Sequence, residues 1–563
     1  MKVIIVGGVA GGATAAARIR RLNEHAEITV FERSGYISYA NCGLPYYIGD
    51  VITDPEELTL QTPESFFKRF RINMKIHHEV ISIHPERKTV SVKNLENGEI
   101  FEEKYDKLIL SPGAKPTQPR LPGVGMDKLF TLRTVEDTFR IKEYINKNHP
   151  KSALLAGGGF IGLELAENLR ELGMDVTIVQ RPKQLMNPFD PDMASMIHNE
   201  MRKHGIKLVL GYTVEGFKEK DNGVEVLLKD NPSLQADMVV LAIGVTPDTV
   251  LAKEAGLELG IKESIVVNDR METSVPDIYA AGDAVQVKHY VTGNDALISL
   301  AGPANKQGRI IADNICGGDS RYLGSQGSSV IKVFDMTAAT TGINETNAKK
   351  SGLEVDTVIL SPMSHAGYYP GGKVMTMKVV FEKESYRLLG AQIIGYEGVD
   401  KRIDVLATAI HAGLKATQLK DLDLAYAPPY SSAKDPVNMA GFMIDNIAKG
   451  TLKQWHLEDM DKISRDKSVV LLDVRTVGEF NRGHMDGFRN IPVDELRERI
   501  NEIEKGKPVY LICQSGLRSY IASRILEGNG YETYNFSGGF RFYDAVVNDR
   551  ALIERAYACG MDY

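Results

Sequence analysis

Val3-Ile4-Ile5-Val6-Gly7-Gly8-Val9-Ala10-Gly11-Gly12 opens the chain and decides its fold. The four apolar residues read as a buried parallel strand, the glycines as a tight turn, and Ala13 to Leu22 as a helix. A second strand, Glu27 to Phe31, ends at Glu32 and Arg33. This is a βαβ unit of the dinucleotide-binding kind. Glycines let the backbone approach a pyrophosphate, the helix N-terminus attracts the phosphates, and the terminal acid bonds a ribose hydroxyl. Val9 stands where the strict pattern has its middle glycine.

The design recurs further along. Ala153-Leu154-Leu155-Ala156 leads into Gly157-Gly158-Gly159-Phe160-Ile161-Gly162, which keeps the strict glycine spacing. A helix from Leu163 to Leu172 and a strand from Val176 to Val179 follow. Two such units imply two dinucleotides, FAD in the first and a nicotinamide in the second, with hydride passing between them. The acid slot of the second unit holds Gln180, followed by Arg181. Gln180 can bond a ribose hydroxyl but repels no 2′-phosphate, so NADH and NADPH both stay open, with NADH the first expectation.

Composition bounds the remainder. At 563 residues the chain exceeds one hydrophobic core, and three to four domains are expected. The net charge of −7 gives no basic footprint for nucleic acid. No apolar run reaches the ~18 residues of a membrane span. The first residues enter a strand directly, unlike a signal peptide, so a cytoplasmic enzyme is expected. Cys42, Cys316, Cys513 and Cys559 are widely spaced, forming neither a metal pattern nor a disulfide framework, which suits a reducing compartment.

Three later segments complete the nucleotide sites: Asp106 to Ala114, Val239 to Gly244, and Ser274 to Ala284 with its Ala281-Gly282-Asp283 ending. Together with the two fingerprints they resemble the flavoprotein pyridine nucleotide–disulfide reductases. That resemblance implies that Asp283 binds FAD, along with Gly7 to Gly12, Glu32, Arg33, Asn41, Val80, Ser111, Gly113 and Ala301. It assigns Gly157, Gly159, Phe160, Ile161, Gly162, Gln180, Arg181 and Gly244 to the nicotinamide nucleotide.

Cys42 narrows the family. Common members carry two cysteines separated by four intervening residues, whereas Ser38-Tyr39-Ala40-Asn41-Cys42-Gly43-Leu44-Pro45-Tyr46 has one. The segment resembles the coenzyme A-disulfide reductase and NADH-dependent persulfide reductase branch, in which the cysteine cycles between thiolate and a mixed disulfide. An adjoining helix N-terminus is expected to stabilise the thiolate. Thr14, Arg18 and Arg21 fall on one helical face, where two guanidiniums suit an anionic nucleotide tail. The resemblance assigns Thr14, Arg18, Arg21, Ser38 and Asn41 to coenzyme A, and Arg71, in a basic cluster with Lys68 and Arg69, is a further candidate. NADH oxidases and peroxidases, which take a lone cysteine through a sulfenic acid, are the alternative.

Residues 330–445 resemble the family's dimerisation domain, with strands at Val374 to Phe381 and Leu389 to Ile394 and a helix from Asp404 to Leu414. Tyr368 and Tyr426 are the candidates to reach the active cysteine of a partner subunit in a homodimer, where a phenol could protonate a sulfur leaving group. Tyr369 and Tyr430 are their neighbouring alternatives. Beyond a linker holding the single Trp, Val469 to Arg475, Gly483 to Pro492 and Cys513-Gln514-Ser515-Gly516-Leu517-Arg518-Ser519 resemble a rhodanese domain. A strand–loop–helix of this kind aims backbone N–H groups at Cys513, and Arg518 adds positive charge.

The expected fold is thus α/β, with two Rossmann-like, glutathione-reductase-like domains, an α+β dimerisation domain and a C-terminal rhodanese α/β domain. The expected divisions are 1–115 with 245–325 for FAD, 116–244 for NAD(P)H, 326–445 for dimerisation, 446–460 for a linker and 461–563 for rhodanese. The expected activity is FAD-dependent, NAD(P)H-driven reduction of persulfide, polysulfide and coenzyme A disulfide. Small thiol and persulfide substrates would be its partners, with no metal.

Overall fold

Lys2–Val6 forms a strand because parallel neighbours flank it on both sides, and Val3, Ile4 and Ile5 are fully buried between covering layers. In the computed structural model, which describes residues 1–220 and 223–558, this strand is the centre of a five-stranded parallel sheet. The order is Ile278–Ala280, Lys107–Leu110, Lys2–Val6, Glu27–Phe31, Asn73–Lys75. A second parallel sheet repeats it: Leu129–Thr131, Met238–Leu241, Ser152–Ala156, Asp175–Gln180, Lys207–Leu210. The fingerprint helices begin earlier than their apolar patterns suggest, at Ala10 and Phe160, because the glycine turns pass straight into the first helical residue. Both sheets belong to one compact unit, Met1–Pro182 with Gly205–Gly327.

The second unit joins Lys183–His204 to the chain from Ser328 onward. Residues 183–204, expected within the nucleotide-binding stretch, therefore pack here. The unit contains a five-stranded antiparallel sheet ordered Ser329–Val333, Met336–Gly342, Leu388–Gly395, Met375–Glu382, Val355–Leu360. The helix expected from Asp404 instead spans Val399–His411, its buried residues Val399, Arg402, Ile403 and Leu406 facing inward. Lys378 is buried in this sheet and meets Asp190, Asp192 and Glu345 at 3.2, 2.8 and 2.8 Å. Those three carboxylates supply the counter-charge that burial of an ammonium requires.

The C-terminal sheet is parallel, ordered Gln454–Trp455, Thr533–Phe536, Val509–Ile512, Val470–Asp473, Arg489–Asn490. Trp455, expected in a linker, is part of its edge strand and is 2% exposed. Its ring packs against Phe488, Tyr510 and Phe536, and its indole N–H donates to the Leu511 carbonyl at 3.3 Å. The terminal helix, Gly539–Ala558, packs on the helix Pro191–Lys203. There Asp549 accepts from Arg202 at 2.5 Å and from His198 Nδ1 at 2.8 Å. His198 Nε2 accepts from the Leu185 N–H at 2.9 Å, which puts the imidazole proton on Nδ1.

Among the described residues no helix is long and apolar enough to cross a membrane. None of them form a group of three or more His, Cys, Asp or Glu able to hold a metal ion. Cys559 lies outside the described residues.

Candidate active site

Two glycine cradles, the Cys42 thiol and the Cys513 loop make up the candidate site residues. In the first cradle Gly7 has φ +94°, and a Cβ there would stand 2.1 Å from the Ser111 carbonyl oxygen. A Cβ on Gly12 would lie 1.9 Å from the Gly7 carbonyl, so this turn closes only with glycine at both positions. Val9 does not break it: its φ is −103°, an ordinary value for a branched residue. The Gly8 N–H donates to Glu32 Oε2 at 2.9 Å, and Glu32 Oε1 accepts from the Ser34 N–H at 2.9 Å. This buried, backbone-anchored carboxylate beside a glycine turn fits the ribose and pyrophosphate of a dinucleotide.

The second cradle is built alike. A Cβ on Gly157 would meet the Ala242 carbonyl at 2.3 Å, and one on Gly162 the Gly157 carbonyl at 2.1 Å. The Gly158 N–H donates to Gln180 Oε1 at 3.0 Å. Phe160 and Ile161 open the helix, and Gly244 turns with φ +108° after the neighbouring strand. Arg181 is exposed.

The remaining flavin candidates are dispersed around the first sheet. Asp283 sits in the turn Gly282–Ala284 and accepts from Arg133 at 2.6 Å. Gly113 turns with φ +70°. Val80 is buried in the core, and Ala301 starts the helix Ala301–Ile315. Arg33 is paired with Asp248 at 2.8 Å.

Cys42 is exposed, in a single 3₁₀ turn, Asn41–Gly43, that leads into the short helix Leu44–Ile48. Ser38, just before it, has φ +46°, a strained value for a residue with a side chain, and its N–H donates to the Gly8 carbonyl at 2.9 Å. The expected stabilised thiolate needs correcting. Packing against the protein pushes the Cys42 thiol above its ordinary value, and the Glu164 carboxylate pushes it further, against a smaller opposing effect of Arg133. Glu164 lies on the helix Phe160–Glu171, and burial together with Glu167 lifts its own carboxyl to about 7. Neither Glu164 nor Arg133 is legible in the sequence, because both reach Cys42 through packing of distant segments.

The basic face of the first helix is partly occupied. Arg18 is paired with Asp313 at 2.8 Å, and Thr14 donates to Asn305 Oδ1 at 2.6 Å, both partners lying on the helix Ala301–Ile315. Arg21 is exposed. Arg71 is brought to the same helix through its carbonyl, which accepts from Arg20 at 3.0 Å, while its guanidinium covers Phe67 at 5.3 Å. Asn305 had no sequence signal, since it follows no motif.

In the second unit the Tyr368 and Tyr426 hydroxyls meet at 2.5 Å, and both rings are exposed. That bond raises the Tyr426 phenol above its ordinary value. Tyr369 instead packs edge-on against His365, and Tyr430 is exposed without joining the pair.

Cys513 is 1% exposed at the end of Val509–Ile512. Its sulfur accepts from the Gly516 N–H at 3.1 Å and from the Ser519 hydroxyl at 3.2 Å. Gly539 lets the loop close, since a Cβ there would stand 2.7 Å from Gln514 and Ser515 backbone atoms. The charge expected from Arg518 is offset: both its terminal nitrogens donate to Glu479, each at 2.7 Å. The Arg518 bonds chiefly, with those from Thr476, hold the Glu479 carboxyl down at about 2. Thr476-x-x-Glu479 is a capping-box pattern, a signal that could have located this carboxylate though not its partner.

Known proteins share this arrangement. The family model described as pyridine nucleotide-disulphide oxidoreductase matches residues 1–308, its dimerisation domain 328–436, and a rhodanese-like domain 456–545. The chain is 38% identical over 442 residues to a coenzyme A disulfide reductase of Staphylococcus aureus strain JH9, covering 78% of this chain and 99% of the relative. The crystal structure of reduced Bacillus anthracis CoADR-RHD is similar at 48% identity and TM-score 0.95, over 98% of each chain. The structure of a NAD-dependent persulfide reductase from A. fulgidus is similar at 38% identity and TM-score 0.90, over 96% of this chain and 100% of that one. The α/β architecture, the paired glycine cradles and the single thiol thus have one source: the chain belongs to the pyridine nucleotide-disulphide oxidoreductases, with that family's dimerisation domain and a C-terminal rhodanese-like domain.

Proposed function

We propose that this enzyme reduces persulfide or polysulfide sulfur and coenzyme A disulfide at Cys42. The observation that carries the reading is one exposed thiol placed where charges of both nucleotide folds act on it, Glu164 and Arg133 from the second and Asp283 from the first. FAD and NADH or NADPH, when bound, supply the two electrons that each turnover consumes. The chain's own part is nucleophilic. The Cys42 thiolate attacks the inner sulfur of a persulfide, the sulfur–sulfur bond breaks, and hydrosulfide leaves with a proton. Cys42 is then joined to the substrate thiol as a mixed disulfide, which two electrons return to thiolate and free thiol. With coenzyme A disulfide the same attack releases one coenzyme A.

Thr14, Arg18, Arg21, Ser38, Asn41 and Arg71 are proposed to hold coenzyme A, with Asn305 added through its bond to Thr14. The Tyr368–Tyr426 pair is proposed to serve the thiol of the partner subunit in a homodimer, protonating the departing sulfur. Cys513, whose sulfur is held by two donors, is proposed to carry sulfane sulfur as a persulfide. The domain division expected from sequence is retained as a proposal, except that residues 183–204 go with the second unit and the rhodanese boundary moves ahead of Gln454. A cytoplasmic location accords with thiol chemistry of this kind.

Cys42→Ser is expected to abolish NAD(P)H-dependent release of hydrosulfide from persulfide while the yellow flavin absorbance persists. Unchanged turnover in that variant overturns the mechanism. Peroxide consumption that matched persulfide consumption would favour the oxidase reading instead.

A further inference from the structure

Tyr368 and Tyr426 stand on separate loops. Their rings are 75% and 45% exposed, so packing around them does not set the 2.5 Å approach of the hydroxyls; the roots of the loops must. At those roots lies Arg402, on the helix Val399–His411 and 1% exposed. Its Nη2 donates to the Ser364 carbonyl at 2.9 Å, four residues before Tyr368, and to the Tyr430 carbonyl at 3.3 Å, four residues after Tyr426. The same nitrogen reaches Ser431 Oγ at 3.1 Å and Asp435 Oδ2 at 3.0 Å, while Nε donates to Asp435 Oδ2 at 3.2 Å. The Ala366 N–H joins the two loops directly, donating to the Ser431 carbonyl at 2.9 Å. Asp435 supplies the counter-charge that a buried guanidinium requires, and the Ser431 hydroxyl donates to its Oδ2 at 2.7 Å. A guanidinium suits this place because its planar fork bonds several acceptors in fixed directions, which a point-like ammonium does not.

We propose that Arg402 is a positioning residue for the tyrosine pair, fixing both loops so that Tyr426 donates to Tyr368 and Tyr368 presents its own proton to the departing sulfur. This rests on the reading of the pair as the proton source. In two bonded phenols one O–H is used on the partner and one is left over. The accepted bond stabilises the phenolate that remains once the free proton is given up. The rise of the Tyr426 phenol, caused by its bond to Tyr368, agrees with Tyr426 as the donor. A loop displaced by about 1 Å breaks that bond and misplaces the acid, an error on the order of 10²-fold in rate.

The test is steady-state reduction of coenzyme A disulfide by the flavin-bound enzyme, with stopped-flow reduction of the flavin by NADH read in parallel. Arg402→Lys keeps the charge that Asp435 requires and loses the fork. It is expected to lower kcat about tenfold, to leave KM within about twofold and to leave flavin reduction unchanged. Ser431→Ala removes one bond of the clamp. It is expected to lower kcat about threefold, and it carries the test if Arg402→Lys does not fold. In a Tyr368→Phe/Tyr426→Phe background neither substitution is expected to cost anything further, because the hydroxyls they position are gone. An equal loss in that background means that Arg402 and Ser431 only hold the fold, and overturns the proposal. Unchanged kcat in both variants, while the background itself is slow, overturns it too. Full kcat in the background overturns the tyrosine reading and the proposal with it, which separates the two levels.

Discussion

Cys42 works against its own surroundings. Thiolate chemistry needs the proton gone, yet packing and the Glu164 carboxylate hold the thiol above its ordinary value. Because Glu164 itself sits at about 7, its carboxylate is already charged over the higher pH range in which the raised Cys42 thiol ionises. The sign follows directly: removing that charge lowers the Cys42 value and moves its reactivity to lower pH. Glu164→Gln is therefore expected to shift the pH profile of Cys42 alkylation downward, measured with iodoacetamide on the flavin-bound enzyme. An unmoved profile means that Glu164 does not govern the thiol. At Cys513 the expectation is different. Ser519→Ala removes one of two donors to the sulfur, and sulfur transfer from thiosulfate is expected to fall by about tenfold, the scale of one hydrogen bond to a charged group. The residues proposed to bear chemistry, Cys42 and Cys513, are read from the motifs in which each sits. Glu164 and Arg133, which act on Cys42, and Glu479, which pairs with Arg518, have no such motif, because their contacts join segments far apart in sequence.

At the scale of the element, the glycine turns decide more than the helices they open. Gly12→Ala would drive a Cβ to 1.9 Å from the Gly7 carbonyl and is expected to abolish flavin retention, read from the absorbance of the purified protein. Gly159→Ala is the contrasting case. Its φ is −91° and a Cβ there meets nothing within 4 Å, so thermal stability is expected to change by no more than about 0.5 kcal/mol. This also explains why the first fingerprint carries Val9 at the equivalent slot and still folds. Strands and helices were legible here because buried parallel strands and Gly-rich turns leave local patterns. Trp455 was misplaced in a linker because a two-residue edge strand, paired only with Asn535 and Phe536, has no period of its own.

On the scale of the molecule, the second unit binds its parts through buried charge. Asp549, 2% exposed, is held below its usual value by His198 and Arg202, against the opposing effect of burial. A carboxylate with a lowered value contributes stability above its unfolded value of about 3.9, and that stability is lost as pH falls below it. Asp549→Ala leaves His198 and Arg202 without their acceptor and is expected to cost about 3 kcal/mol, seen as a lowered thermal midpoint. Deleting the chain after Ala448 is expected to lower the midpoint of the remaining protein as well, which an independent, tethered module would not do.

His198 and Arg202 lie on the helix Pro191–Lys203, and the buried carboxylate that answers both comes from the last helix of the chain, Gly539–Ala558. With Asp549 in place the appendage has ceased to be optional. Its last helix closes over Pro191–Lys203, so losing the C-terminal domain would expose a surface that His198 and Arg202 now bury with Asp549.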